Sequence, residues 1–316
     1  MKRTFYFLLL INAITFSSCS QDNYDYDILR EDKIPADAVK MNPVDDLYSP
    51  VMQSPLWNAP EPMTGPINTA GAEDSPYISK DGNRFFFFFT PDVNVPLEKQ
   101  LIDTVTGIWW SEKEGGEWCE PKRIYLQSIE CLDGCAFSEG DTLYFGSVRK
   151  ENLGEIDIYK ATYDGEEWGS VKNCGEALNV TYDIGEFHIT DDGQKMYYGK
   201  YIGDNYDIYS LTNVNGEWTN ETAVDEVNTE KSENQPFITH DGNEMWFTSE
   251  SRLGFTGPAV YRSVKTDSGW REPEEIVSNF AGEPCLDSDG NIYFVHHYMD
   301  SSVNIIEADI YVCRKK

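Results

Sequence analysis

Acidic residues recur at one place along this sequence, ahead of each of five turns that contain Asp-Gly or Glu-Gly. They are Glu73, Asp74, Asp133, Asp183, Glu186, Glu233 and Glu283. Carboxylates held close together raise each other's pKa or recruit a cation such as Ca²⁺. Two of them could also act as general acid and general base in glycoside hydrolysis. The sequence therefore predicts a ligand or cation site if the fold brings these side chains to one axis. A simpler interpretation is that an acid found in every repeat only hydrogen-bonds backbone amides.

Other catalytic classes lack the residues that they need. His188 and His240 lie in or beside predicted strands, whereas the adjacent His296 and His297 point to opposite faces of one strand and cannot share a metal. We find no Ser-His-Asp order, no Gly-x-Ser-x-Gly and no glycine-rich phosphate loop in the sequence. These observations argue against a metallohydrolase, a serine hydrolase and a nucleotide-binding enzyme.

The elements that position the acids are repeated hairpins. The stretch "DIYKATYDGEEW" at residues 157–168 recurs as "DIYSLTNVNGEW" at residues 207–218, and four such hairpins end at Trp118, Trp168, Trp218 and Trp270. A second hairpin precedes each one, as in "SPYISKDGNRFFFFF" at residues 75–89, and its turn residues are Asp81, Glu139, Asp192, Asp241 and Asp289. Gly, Asn and Asp supply the tight turns. The pattern predicts five units of four strands each.

The fifth unit indicates how the two ends of the chain are joined. It contains "DIYVCRKK" at residues 309–316 but no Trp strand after it, whereas residues 54–68 contain a Trp, several prolines and an Asn, as the end of unit two does. We therefore expect the strand around Trp57 to pair with the strand around Tyr311. Closing a ring in this way removes sheet edges and buries the aromatic strands between units.

These motifs resemble the WD40-like β-propeller repeat of the TolB type. The resemblance covers residues 54–316 and rests on an acid, a proline, a short strand, "DG" and an aromatic strand, as in "ENQPFITHDGNEMWF" at residues 233–247. It implies a propeller fold. Together with the five units counted above, this predicts an all-β, five-bladed β-propeller of four-stranded antiparallel blades, with the last blade closed by the N-terminal strand. It implies no reaction, because fold does not determine function.

The N-terminal region reads as a targeting segment. Lys2 and Arg3 precede an apolar stretch that ends in "FSSC", which resembles a lipobox, so residues 1–19 are predicted to be a lipoprotein signal peptide with Cys19 as the lipidated residue. Residues 20–53 are acidic and polar, which favours a flexible tether. The acids behind Cys19 look like the surface-export signal of Bacteroidota-type lipoproteins. We expect an exported outer-membrane lipoprotein at the cell surface or on the periplasmic face.

Charge and cysteine content narrow the partners further. A formal charge of −30 and a pI near 4.3 repel phosphate backbones and anionic lipids, so we expect no nucleic acid and no membrane contact except through the lipid. Besides Cys19, six cysteines are present, and sequence does not choose among their fifteen pairings. Buried free thiols are favoured over a metal site.

Three long loops are predicted to share one rim of the ring. Residues 90–107, 248–259 and 296–308 each link the second and third strands of a unit, and Arg252 and Phe255 are the candidates for partner contact. We expect a monomeric, non-catalytic protein that binds an envelope protein, peptide or glycan, without a cofactor unless Ca²⁺ is bound. The alternative is an arabinanase-type glycosidase that uses the channel carboxylates.

Overall fold

Strands joined by tight turns make up nearly all of the described chain. The structure is a computed structural model and describes residues 28–126, 131–182 and 184–316. Helix in these residues is limited to a 3-10 turn at Arg30–Lys33 and to α1 (Leu97–Gln100) and α2 (Glu176–Asn179). The prediction of an all-β chain is confirmed, and it follows from aromatic strand residues and from turns rich in Gly, Asn and Asp.

The strands follow the repeat units of the sequence. Two short strands come first, β1 (Val51–Met52) and β2 (Glu61–Pro62). Unit one contains β3 (Ala72–Ile78), β4 (Arg84–Thr90), β5 (Gly107–Glu114), β6 (Glu117–Trp118) and β7 (Lys122–Arg123). Unit two contains β8 (Cys131–Glu139), β9 (Thr142–Arg149), β10 (Asp157–Tyr163) and β11 (Trp168–Asn173).

The remaining units repeat this order. Unit three contains β12 (Phe187–Ile189), β13 (Lys195–Ile202), β14 (Asn205–Val214) and β15 (Glu217–Ala223). Unit four contains β16 (Glu233–Ile238), β17 (Glu244–Glu250), β18 (Pro258–Thr266), β19 (Gly269–Trp270) and β20 (Glu274–Ser278). Unit five contains β21 (Ala281–Leu286), β22 (Ile292–Met299) and β23 (Ile305–Cys313).

Each unit is an antiparallel meander. Units two and three are separate four-stranded sheets, and unit four carries β1 beside its outer strand β20. Units one and five fall into one sheet because β23 and β3 share a single parallel bridge between Ala308 and Ala72. The first strand of each unit lies nearest the other units, so residues on the first strands are the ones that can meet.

The N-terminal part of the chain pairs with its C-terminal strand, as the sequence predicts. Strand β2 is antiparallel to β23, with Glu61 opposite Val312 and Pro62 opposite Tyr311, and Trp57 forms an isolated bridge to Lys315. The Trp57 indole donates to the Gly290 carbonyl at 2.8 Å. The two ends therefore meet in one sheet.

A pair of hydrogen bonds from one asparagine side chain, which we call the clasp, occurs both at this pairing and at the outer strand of other units. Asn68 exchanges two hydrogen bonds with the backbone of Ile310, of 2.9 and 3.0 Å. Asn179 does the same with Ile158, and Asn228 with Ile208. The segment before Asn68 thus occupies the place in unit five that the fourth strand occupies in units two and three.

Aromatic side chains fill the spaces between neighbouring units. The phenylalanines at residues 85–89 are all buried, which confirms their prediction as core. Ring pairs that cross between units are Phe86 with Trp168, Phe137 with Phe187, Tyr197 with Trp270, and Phe85 with Tyr293, at 5.4–6.0 Å between centroids. Each pair contributes about 0.5–1.5 kcal/mol beyond its buried area.

Residues 28–53 contact the units at several points, which corrects the prediction that residues 20–53 form a flexible tether. Arg30 is only 1% exposed and bonds the carbonyls of Pro66 and Ile67 at 2.5 and 2.8 Å. Lys40 binds the carboxylates of Glu307 and Asp309. Because polar groups along this segment have buried partners, the acidic composition that favours disorder does not apply here; residues 20–27 lie outside the described residues.

Candidate functional site

A β-bulge sits at the same place in the first strand of four units. The pairing register shifts at residues 74–77, 134–137, 234–237 and 282–285. One non-glycine residue in each bulge has a φ of 48–58°: Ser75, Cys135, Gln235 and Glu283. Such conformations cost about 1–3 kcal/mol each and are retained where they re-aim a side chain. Glu186 occupies the equivalent position in unit three.

These five residues, which we call the axial ring, line one small cavity where the first strands converge. The Gln235 amide donates to Glu186 at 3.1 Å and to Glu283 at 2.8 Å. The Ser75 hydroxyl donates to the other carboxyl oxygen of Glu283 at 2.5 Å. Two carboxyl groups are therefore held in place by one amide, next to the Asp74 carboxylate.

Burial and mutual repulsion perturb the acids of the axial ring. Burial, with a smaller contribution from Asp74, raises the pKa of Glu186 to about 7. Burial and the charges of Asp74 and Glu186 hold the pKa of Glu283 well above its usual range. At neutral pH the ring holds protons that an exposed glutamate would release, and an approaching cation would stabilise the charged forms.

Directly beside the axial ring, the convergence axis is filled by aromatic rings. Tyr77, Phe137, His188 and Phe237 pack on one another at 4.8–6.4 Å between centroids. Burial lowers the pKa of His188 to about 3, so this imidazole is neutral and accepts the Ile238 amide proton at 3.3 Å. These aromatic side chains line the small cavity together with the axial ring.

Three of the predicted acids lie elsewhere, each paired with an arginine. Glu73 is 3.2 Å from Arg30, Asp133 is 2.6 Å from Arg149, and Glu233 is 2.9 Å from Arg252. All three carboxylates are buried and share one repeat position, two residues before the axial ring.

The hydrogen bonds of these acids are also alike. Thr69 donates its backbone amide and hydroxyl to Glu73, and Thr229 does the same to Glu233. The structure thus brings Asp74, Glu186 and Glu283 together and separates Glu73, Asp133 and Glu233 from them. Asp183 lies outside the described residues.

A cavity of about 310 Å³ opens beside the axial ring, and we call it the mouth cavity. Asp74, Gln235 and Glu283 line it, and His297, which also lines it, lies 3.7 Å from the Asp74 carboxylate. Apolar residues, among them Phe255 and Ile305, also line it. The predicted loop at residues 296–308 is shorter in the structure, because β22 extends to Met299 and β23 begins at Ile305. The cavity thus combines acids with an apolar wall.

The two predicted rim residues have different roles in the structure. Phe255 is 37% exposed and lines the mouth cavity. The Arg252 guanidinium instead bonds the buried Glu233 and lies 4.6 Å from the Tyr261 ring centroid. Sequence reasoning missed Gln235 and His297. Aligning the repeats would have found Gln235, because the axial position reads Ser, Cys, Glu, Gln and Glu across the units, whereas neighbouring positions are more alike.

In the part of the chain that the structure describes, we see no arrangement that indicates a metal site or a reactive thiol. No group of three or more His, Cys, Asp and Glu side chains there is arranged to hold a metal ion. The cysteines from Cys119 onward are free thiols, and Cys285 and Cys313 are buried. Across these same residues, no helix has the length and apolar character needed to cross a bilayer.

Comparison with known proteins gives a distant likeness to solved structures. No protein-family model matches the sequence, and no curated protein matches it. The putative TolB from Agrobacterium tumefaciens aligns over 78% of this chain and 84% of its own length, with 17% identity and a TM-score of 0.44. TolB from Acinetobacter baumannii aligns over 79% and 55%, with 14% identity and a TM-score of 0.44.

An enzyme is similar to the same degree. The α-L-arabinofuranosidase from Lactobacillus brevis aligns over 77% of this chain and 90% of its own, with 14% identity and a TM-score of 0.44. Likenesses at these values transfer no activity to this chain.

Proposed function

We propose that this protein is a non-catalytic binding protein that engages a protein, peptide or glycan partner of the cell envelope through the mouth cavity. The observation that carries the proposal is the composition of this cavity. Asp74 and Glu283 line it together with apolar residues, among them Phe255 in the loop between β17 and β18 and Met299 and Ile305 at the facing ends of β22 and β23. A cavity with a few fixed polar groups and an apolar wall is the usual form of a binding site.

The proposal includes a fold of five blades of the TolB-type propeller, closed by the N-terminal strand. Support comes from the five sequence repeats and from the packing of each unit on the next, with unit five against unit one. The pairing of β2 with β23 and the clasp of Asn68 support closure. In such a ring, loops between second and third strands share one face, where a partner can reach the mouth cavity.

Charge favours a partner that presents a cationic group to this face. Asp74 and Glu283 line the cavity, and the chain has a formal charge of −30. A partner ammonium or guanidinium group would stabilise the ionised form of these acids, while Phe255 would cover its aliphatic stem. In this proposal the protein acts as a monomer and binds its partner without a cofactor.

The first prediction tests this use of the mouth cavity. Phe255→Ala is expected to reduce capture of envelope partners by the immobilised full chain about tenfold, because a buried aromatic anchor contributes roughly 1–2 kcal/mol at an interface. Quantitative mass spectrometry and glycan profiling of the captured material provide the measurement.

Leu253→Ala is the matched control, since Leu253 belongs to the same loop, is 58% exposed and does not line the cavity. Both variants should melt like the parent chain. Equal capture by the parent and Phe255→Ala would contradict the proposal.

A glycan-cleaving enzyme is the second candidate, favoured by the two axial glutamates. Glu186 and Glu283 both have a raised pKa, and Glu283 lines the mouth cavity. A glycosidase needs one carboxyl group protonated near neutral pH. This candidate would be supported if the parent chain hydrolyses arabino-oligosaccharides and Glu283→Gln abolishes that hydrolysis. Partner capture without hydrolysis supports the non-catalytic protein.

We also propose that the chain is exported and anchored at the outer membrane through Cys19, at the cell surface or on the periplasmic face. The support is the basic and apolar leader that ends in "FSSC". Cys19 lies outside the described residues, so this part of the proposal rests on sequence.

A further inference from the structure

One residue in the lining of the mouth cavity has an unusual backbone. Phe280 is fully buried and lines the cavity. Phe280 and the preceding Asn279 both have left-handed backbone conformations, with φ of 48° and 69°. For residues other than glycine such conformations are costly and persist only where the surrounding structure holds them. The contacts that hold residues 279–280 therefore help to shape the cavity.

Two of these contacts come from residues 48–49, which precede the repeat units. The Tyr48 ring packs edge-on against the Phe280 ring, with 5.2 Å between centroids. The Asn279 side-chain amide donates to the Ser49 carbonyl at 3.1 Å. The chain then continues into β1, which pairs with the end of β20 directly before residue 279. Residues 48–52 thus follow the backbone that leads to Phe280.

A third contact reaches Phe280 through His296, which is 0% exposed. Its Nε2 lies 2.9 Å from the Asp46 carboxylate, and its Nδ1 lies 3.2 Å from the Phe280 carbonyl oxygen. Burial opposes the charged form of Asp46, but hydrogen bonds from His296 and the Tyr48 amide hold the pKa of Asp46 below its ordinary value. Carboxylate and carbonyl oxygens both accept, so His296 serves both when its two ring nitrogens carry hydrogen.

Phe280 in turn contacts the loop that carries Phe255. Its ring lies so close to Gly257 that a Cβ there would overlap it. Gly257 and Phe255 both line the mouth cavity, as does Glu283, three residues after Phe280. Residues 46–53 are all described by the structure and do not line the cavity themselves. They can act on it only through the residues that they hold.

We propose that Asp46 and Tyr48 are positioning residues of the mouth cavity, which hold Phe280 in place against the loop that carries Phe255. The inference rests on the proposed function of this cavity and adds that partner binding depends on residues outside it. Such a role predicts changes that are confined to the cavity when either side chain is removed, whereas a general stabilising role predicts none there.

Methyl NMR of the full chain tests the position of the cavity lining without a ligand. Tyr48→Ala is expected to shift the signals of Val295 and Met299, which line the cavity, and to leave the signal of Ile158 in unit two unmoved. Tyr48→Phe keeps the ring and should restore the parent spectrum. Unmoved Val295 and Met299 signals in Tyr48→Ala would overturn the proposal.

Leu47→Ala is the matched control, because Leu47 is the neighbouring residue and is 63% exposed. Its spectrum should match that of the parent chain. Asp46→Ala should move the same two methyl signals as Tyr48→Ala, and unmoved signals would overturn the assignment of Asp46.

Partner capture by the immobilised full chain provides the second readout. Tyr48→Ala should capture at least about twofold less than the parent chain, since a ring pair contributes a factor of this order, and Tyr48→Phe should capture normally. Unchanged capture by Tyr48→Ala would contradict the positioning role. Methyl shifts in a chain whose parent captures nothing would support the positioning role and overturn the proposed function, so the two failures are distinguishable.

A further variant covers the case in which Tyr48→Ala does not fold. Asn279→Gly removes the bond to Ser49, and glycine adopts the left-handed backbone without strain. It should shift the Val295 and Met299 signals and leave that of Ile158 unmoved. Val295 and Met299 signals that stay in place would again overturn the proposal.

Discussion

At the residue scale, the axial ring shows one backbone position carrying different side chains. In four units a bulge carries this residue, namely Ser75, Cys135, Gln235 and Glu283, and Glu186 holds the equivalent position in unit three without a bulge. The sequence could predict that acids approach the axis. It could not predict which acids pair with an arginine, because Glu73, Asp133 and Glu233 differ from the ring by a two-residue offset and their arginines lie on other elements.

The second prediction concerns the pH dependence of stability. Glu283 has a raised pKa in the folded chain, so folding binds a proton that the unfolded chain releases above its ordinary pKa. Its contribution to stability is therefore lost as the pH rises from about 4.5 upwards. Glu283→Gln keeps the neutral form and should raise the melting temperature at pH 7.5 by at least about 2 °C, since one kcal/mol shifts the midpoint of a domain this large by about 2–4 °C.

At pH 4 the parent chain and Glu283→Gln should melt alike. The exposed Glu166 supplies the control, because Glu166→Gln should change neither midpoint. An equal gain at both pH values would show that the substitution acts through packing and not through the charge.

At the element scale, residues 28–53 form a strap whose polar residues have partners on the repeat units. The strap runs from Arg30 beside unit one, past Lys40 and Asp46 on unit five, to β1 on unit four. Composition predicted a solvated tether, because Asp and Lys in a polar segment normally face water. The partners that override this, such as His296 at 2.9 Å from Asp46, are more than 200 residues away and invisible to local patterns.

The third prediction is that Arg30→Met destabilises the fold by about 3–5 kcal/mol. Removing the guanidinium leaves Glu73 buried without its cation, and breaking a buried pair from one side is costly. Denaturant unfolding measures the change in the free energy of unfolding. Arg314→Met is the matched control, because its pair with Glu61 is 57% exposed at both ends and such pairs contribute at most about 1 kcal/mol. Similar losses for both variants would show that the strap arginine has no special role.

At the scale of the whole molecule, the sequence repeats predicted the strand units, but they did not predict where the cavities lie. Repeats spaced by roughly fifty residues predicted the four-stranded units and the pairing of the two chain ends, because turn residues and aromatic strands recur at fixed offsets. Cavities depend on differences between the repeats, such as the different side chains of the axial ring, and these have consequences only after the units are packed.

The fourth prediction concerns the anchor. Cys19→Ser should abolish incorporation of an alkyne-labelled fatty acid and release the protein from the membrane fraction, because a single thiol carries the lipid in this class of anchor. Cys119→Ser should label like the parent chain. Label retained in Cys19→Ser would contradict the lipoprotein assignment, and protease accessibility on intact cells would separate the two faces of the outer membrane.

The course of the strap has a mechanical consequence. A force applied at residue 28 acts first on Arg30 and not on a sheet strand, because the Arg30 guanidinium is hydrogen-bonded to the carbonyls of Pro66 and Ile67 and to the Glu73 carboxylate. Tension must first extract that group and then slide β1 along β20 before it can peel β2 from β23. The load would thus be resisted in shear by several units at once. Residues 28–53 would then reinforce the place where the two chain ends meet.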